Sequence, residues 1–267
     1  MIGQTNLLNK INTLTKYPRF SLIIGPSGSG KKMIVKYISD KFNLPIINFG
    51  IGIDEVRNII DMSYSTPSPI CYVCYDADSM SLGAKNALLK ITEEPPENAY
   101  FILTLVSSSN TLGTILSRGT VFNLDPYSEN ELIQYRELKK YPNGNDNILR
   151  EVCDNIGEVD ALYKNSIKEF YEFAKTVAFK IQIPTSGNIF KIPKSMKLKE
   201  GDNGYDPILL FKAIRSLYIK EAIKTKDKKY LYASDVTSSC IRDLKLLTVS
   251  KLGTIDKWIM DVRKVLR

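Results

Sequence analysis

Gly25-Pro-Ser-Gly-Ser-Gly-Lys-Lys32 follows a short apolar run, Phe20-Ser-Leu-Ile-Ile24, and leads into a segment of helical character, Met33-Ile-Val-Lys-Tyr-Ile-Ser39. A strand, a glycine-rich turn and a helix in that order form a phosphate cradle. Gly25, Gly28 and Gly30 let successive backbone N–H groups converge on phosphate oxygens, and the helix start adds the positive end of its dipole. Pro26, Ser27 and Ser29 complete the loop, and Lys31 is spaced to reach the outer phosphates of a nucleotide. Residues Gly25 to Lys32 are therefore the candidate nucleotide-binding residues, with ATP or ADP as ligand.

Working outward, the strand candidates are Phe20–Ile24, Pro45–Phe49, Ile70–Tyr75, Tyr100–Val106 and Val121–Leu124. They are short, nearly continuous in apolar residues and separated by helical segments, the pattern of a parallel sheet covered on both faces. The expected fold is α/β, with a five-stranded parallel sheet in residues 1–125. After Asp125-Pro126 the pattern turns helical. Ser128-Glu-Asn-Glu131 reads as a capping box. Further helices are expected at Ile148–Asn155 and, after Gly157, from Val159 to about Lys164. Residues 126–165 thus form a small helical unit. Residues 166–267 continue as helices, with Ile208–Lys224, Ser234–Ser250 and Ile255–Val265 as candidates. The interval Pro184–Pro207 is rich in Pro, Gly and Lys and has room for one short helix.

Composition narrows the classes. No apolar stretch approaches the ~20 residues of a membrane helix, and no basic segment followed by an apolar core marks a secretory signal near Met1. A cytoplasmic protein with no membrane partner is expected. Histidine is absent, so Cys71 and Cys74 cannot be completed into a zinc set, and no metal ligand is assigned. Three positions apart on a strand, the two thiols point to opposite faces; Cys153 and Cys240 stand alone, and all four read as buried, reduced thiols. Charge is uneven: residues 1–165 carry 16 Lys and Arg against 18 Asp and Glu, while residues 166–267 carry 21 against 11. A polyanionic partner and a solvated lysine-rich surface both fit that excess, as they do for the cluster Lys224-Thr-Lys-Asp-Lys-Lys229.

The phosphate loop departs from its pattern at one place. The residue after Lys31 is ordinarily Ser or Thr, whose hydroxyl ligates Mg²⁺; here it is Lys32. An ammonium has no lone pair to give a metal, and it competes with the ion for the same phosphate oxygens. Mg²⁺ at this site is doubtful on chemical grounds.

Asn86-Ala-Leu-Leu-Lys-Ile-Thr-Glu-Glu-Pro-Pro96, followed by Ala99-Tyr-Phe-Ile-Leu-Thr-Leu-Val106, resembles the run after the Walker B strand in sliding-clamp loader ATPases of the AAA+ family. The likeness is greatest to the bacterial gamma and delta-prime subunits. Leu112-Gly-Thr-Ile-Leu-Ser-Arg-Gly-Thr120 resembles their segment ending in Ser-Arg-Cys, with Gly119 in place of the cysteine. Ile2-Gly-Gln4 resembles their opening segment, and the zinc module many of them insert after the phosphate loop has no counterpart in these residues. The resemblance implies an AAA+ base in 1–125, a helical lid in 126–165 and a helical collar in 166–267 that holds five subunits in a ring.

Carried over residue by residue, the resemblance makes Arg118 an arginine finger, projected into a neighbouring subunit's nucleotide site. It sets Ser107 near the first sensor position. The two acidic Walker B positions fall on Tyr75 and Asp76, with Asp78 two residues on; a one-residue slip makes Asp76 the metal-side carboxylate and leaves Ala77 at the catalytic one. Either alignment loses a group. The sensor position after Gly157 reads Glu-Val-Asp-Ala-Leu162, without a basic residue. Loop and Walker B altered, sensor lost and arginine kept: this combination implies a delta-prime-like stator that does not hydrolyse ATP. Its partners would be the other loader subunits, the sliding clamp and primer–template DNA; an economical form of this kind would suit a bacteriophage. Two alternatives remain open: a gamma-like ATPase in which Asp76 and Asp78 manage Mg²⁺, and another DNA-associated AAA+ motor.

Overall fold

The computed structural model describes residues 2–181, 196, 204–246 and 249–267. The interval Pro184–Pro207, with its anticipated short helix, lies largely outside them. The chain divides into two compact units, Met1–Ser128 and Glu129–Arg267.

The first unit is a five-stranded parallel sheet in the order β2-β3-β4-β1-β5. The strands are β1 (Phe20–Ile24), β2 (Ile46–Phe49), β3 (Ile70–Cys74), β4 (Ala99–Leu105) and β5 (Thr120–Asn123). Between and before them run α1 (Thr5–Asn12), α2 (Lys31–Phe42), α3 (Ile53–Tyr64), α4 (Leu82–Glu93) and α5 (Gly113–Arg118). Alternation along each strand feeds two cores. On one face Phe20, Leu22, Tyr72, Phe101, Leu103 and Leu105 pack with Val56, Leu88, Ile91 and Ile115. On the other, Ile23, Val73, Ile102 and Phe122 pack with Leu7, Ile11, Ile34, Val35 and Ile38. Both faces being covered, the buried strand positions are almost all apolar. Ser21 is an exception, and its hydroxyl is satisfied by Tyr17 Oη at 2.7 Å.

The second unit is all helical: α6 (Glu129–Leu138), α7 (Asp146–Val152), α8 (Ile156–Tyr163), α9 (Ile167–Lys180), α10 (Pro207–Thr225), α11 (Lys228–Leu244) and α12 (Lys251–Leu266). Several helices start earlier than the sequence suggests, α8 and α11 among them. Asn155 caps α8 by accepting the Glu158 N–H at 3.0 Å, so Gly157 lies inside the first turn. Asp227 caps α11 through the Lys229 N–H at 3.0 Å, drawing the lysine-rich segment into a tight turn and a helix start. Helices on both sides of the anticipated 165/166 boundary are bridged by ions: the buried Lys212 Nζ sits 2.5 Å from Asp154 and 2.7 Å from Glu158. At the centre, Trp258 meets Phe211 edge-on at 4.6 Å and donates to Thr237 Oγ1 at 3.0 Å.

Cys71 and Cys74 enter opposite cores, and all four thiols are free and buried. Burial pushes Cys71, Cys74 and Cys240 up to about 12 and raises Cys153 as well. Thiols held neutral in the fold but ionising near their ordinary value when unfolded stabilise the native state below pH ~9, and that contribution is lost as pH rises toward the folded values. Iodoacetamide should therefore label the native protein slowly up to pH 9 and all four cysteines after unfolding. Urea midpoints should fall above pH 9; rapid native labelling at pH 8 would refute the assignment.

Candidate functional site

The site is built at the carboxyl ends of β1, β3 and β4, where ligands bind in open α/β sheets. β1 lies between β4 and β5, with Ile24 in register with Leu105 and Asn123. The chain leaves β1 at Gly25, whose N–H donates to Leu105 O at 3.0 Å. Gly28 (φ 78°) and Gly30 (φ 94°) adopt left-handed conformations open to glycine at little penalty, and α2 starts at Lys31. The loop braces itself: Ser29 Oγ donates to Pro26 O at 2.7 Å, and the Tyr127 hydroxyl donates to Ser29 O at 3.0 Å. Pro26, Ser27 and Gly28 are exposed at its tip.

Lys31 is only 8% exposed and donates to Gly25 O at 2.6 Å and Pro26 O at 3.1 Å. Burial lowers its pKa, opposed by the nearby charges of Asp76 and Asp78. Its neighbour Lys32 is exposed, and Lys32 Nζ lies 5.1 Å from the centre of the Tyr75 ring. Each of the two residues occupies a position where a metal ligand was anticipated, and the two are in contact.

The segment after β3 is clasped to the end of β4. Asp76, at φ 55°, donates its N–H to the buried Thr104 hydroxyl at 3.0 Å. The buried Asp78 carboxylate accepts Val106 N–H at 2.6 Å and Ser107 N–H at 3.3 Å. Asp78 and Ser107 are thus brought together directly. The Ser107 hydroxyl is within 2.8 Å of Ser109 Oγ and accepts the Ser109 N–H, capping a short 3-10 turn. The donor set suits Mg²⁺ poorly: Lys32 offers no lone pair, Tyr75 stands against its ammonium, Asp78 spends its oxygens on backbone N–H groups, and of the anticipated ligands only the exposed Asp76 carboxylate is left. Among the described residues no cluster of three or more His, Cys, Asp or Glu side chains could hold a metal.

Gln4, buried and at φ 61°, holds the chain after β5 with two hydrogen bonds, its amide nitrogen donating to Asp125 O at 2.7 Å and its oxygen accepting Asp125 N–H at 2.8 Å. This brings the opening segment beside the stretch from which Tyr127 reaches the phosphate loop. Apart from this edge, Arg118 ends α5. Its guanidinium donates to Glu93 Oε1 at 2.5 Å and to Thr114 O at 2.9 Å. A Cβ at Gly119 would lie 2.9–3.0 Å from the Phe20 ring and Leu22 Cδ1, so the cysteine anticipated there has no room. Within the second unit, Glu158 binds Lys212, and the Asp160 carboxylate accepts the Tyr135 and Tyr141 hydroxyls at 2.9 Å. The acidic residues at the anticipated sensor position therefore serve packing within that unit.

The sequence reading did not assign roles to Thr104, Tyr127 or Glu93. Thr104 carried a usable signal, a hydroxyl near the carboxyl end of an otherwise apolar central strand.

Comparison with known proteins accords with this arrangement. Residues 46–128 match the family described as DNA polymerase III, delta subunit. DNA polymerase III subunit delta' of Haemophilus influenzae is 39% identical over 118 residues, 42% of this chain and 35% of that protein. Over these stretches the chain is similar to clamp-loader subunits of the AAA+ family. A gamma subunit from Buchnera aphidicola is 30% identical over 182 residues, 55% of this chain and 50% of that protein. The chain thus spans half or less of the length of these relatives. Its fold is the α/β AAA+ fold with C-terminal helices. A gamma-subunit-related protein from Thermotoga maritima superposes with a TM-score of 0.53 at 16% identity over 98% of this chain and 99% of that one. A variant of the Thermotoga maritima RuvB protein gives 0.55 at 14% identity over 99% and 87%. At such identity these two share the fold alone.

Asp78→Asn turns an amide N–H₂ toward one of two backbone donors. It should lower stability by about 1–3 kcal/mol in urea titration. Gly119→Ala forces Phe20 or Leu22 to move in a packed core and should lower it by about 1–3 kcal/mol. An unchanged midpoint in either variant would contradict the contact described.

Proposed function

We propose that the chain acts as a delta-prime-like clamp-loader subunit: it binds nucleotide at Gly25–Lys32 without hydrolysing it and supplies Arg118 to the ATPase site of a neighbouring subunit. Its setting would be a hetero-pentameric loader that places the sliding clamp on primer–template DNA in the cytoplasm. The observation that carries this reading is the Lys32–Tyr75 contact at the positions expected to organise the metal. Asp78 is tied to Val106 and Ser107, which leaves the exposed Asp76 as the one anticipated carboxylate not held by a backbone N–H.

Arg118 is suited to act in trans. Its side chain is 33% exposed and its partner Glu93 53% exposed. An exposed ion pair contributes only ~0–1 kcal/mol, so a neighbour's phosphates can take the guanidinium from Glu93. An arginine supplied this way neutralises charge on the transferring phosphoryl, an effect of about 10³–10⁵ in rate for GTPases.

The experiment is ATP hydrolysis by the loader assembled from this chain and its ATPase partner, stimulated by clamp and primed DNA. The isolated chain should show negligible turnover, and Arg118→Ala should reduce turnover at the site it serves by about tenfold or more. Full activity of the Arg118→Ala complex would remove the finger. A second reading, a gamma-like ATPase, draws support from the 30% identity over 182 residues with a gamma subunit. Robust Mg²⁺-dependent turnover by the chain alone would select it.

A further inference from the structure

Lys32 and Tyr75 come from separate elements, the first turn of α2 and the end of β3, yet the ammonium stands 5.1 Å from the ring centre. The choice of partner matters. An acidic residue at position 75 would pair with Lys32 and cancel its charge. An aromatic face attracts the cation through its quadrupole and takes none of its charge, so N–H donors on the side away from the ring stay available. Among the described residues no carboxylate forms an ion pair with Lys32. Lys31, beneath it, is buried and folded onto Gly25 O and Pro26 O. The loop therefore presents two adjacent ammonium groups, one inside and one on the rim.

We propose that the Lys32–Tyr75 pair replaces the divalent cation, so that the loop binds the polyphosphate of a nucleoside di- or triphosphate free of Mg²⁺. This rests on the reading of Gly25–Lys32 as a nucleotide site. The ion's usual service is to neutralise charge on the outer phosphate oxygens and fix their geometry. Lys32 supplies positive charge and donors from the position where the metal-binding hydroxyl was anticipated, and it repels a second cation from that place. Tyr75 offers the ammonium a ring face without quenching its charge. A nucleotide bound this way lacks the metal that would polarise it. It serves as a resident ligand that steadies the loop.

Fluorescent ADP and ATP analogues titrated onto the full chain, in EDTA and in Mg²⁺, test this. Mg²⁺ should change the wild-type dissociation constant by less than about threefold, and Lys32→Thr should weaken binding in EDTA by about tenfold or more. The double variant Lys32→Thr/Tyr75→Asp, which restores the anticipated hydroxyl and carboxylate, should bind more tightly in Mg²⁺ than in EDTA by about tenfold or more. Thermal unfolding of each variant, run in parallel, separates loss of binding from loss of fold. Wild-type binding that Mg²⁺ tightens by threefold or more, or Lys32→Thr binding in EDTA as the wild type does, overturns the proposal. Absence of binding in both buffers overturns it too, and leaves the Arg118 reading to be decided by the loader's ATPase.

Discussion

Every contact in the candidate site depends on β1 being inserted between β4 and β5 in a sheet buried on both faces. Parallel strands whose two faces are both dry allow no slip by one residue, because a slip would exchange the two cores. Register is therefore rigid, and it fixes where each strand releases the chain. Gly25 leaves β1 against Leu105, and the β3 exit is fastened to β4 through Thr104, Val106 and Ser107. Three loops that are distant in sequence are held together by the geometry of one packed layer.

That rigidity gives meaning to the altered residues. In a loosely held loop, a lysine after Lys31 and a tyrosine after β3 would be two unrelated substitutions. In a fixed frame they touch, and one explains the other. A carboxylate opposite Lys32 would have made an inert ion pair, whereas the ring leaves a usable cation. The same frame accounts for Asp78, whose two oxygens accept the backbone N–H groups of Val106 and Ser107 at the β4 exit.

The strands were legible because burial on both faces leaves an almost uninterrupted apolar signature, and the phosphate loop because glycine spacing has few other causes. The starts of α8 and α11 were not legible from apolar periodicity. They are set by single capping side chains, Asn155 and Asp227, each three or fewer residues from the N–H it accepts. The long-range partners were beyond reach for a different reason. Glu93 meets Arg118 across 25 positions and Asp78 meets Val106 across 28, distances at which no local pattern records the pairing. Gly119 was visible as a departure from the resembling segment, and only the nearness of Phe20 and Leu22 shows why a larger residue is excluded.

The buried Lys212 has a mechanical consequence for the helical unit. Withdrawing Asp154 and Glu158 while Lys212 stays enclosed would leave its ammonium unanswered, a penalty of about 3–5 kcal/mol. Thermal motion alone seldom supplies that much. Lys212 fastens α10 to α8 and its neighbour Phe211 meets Trp258 of α12, so a displacement of α12 is resisted through α10 as far as α8.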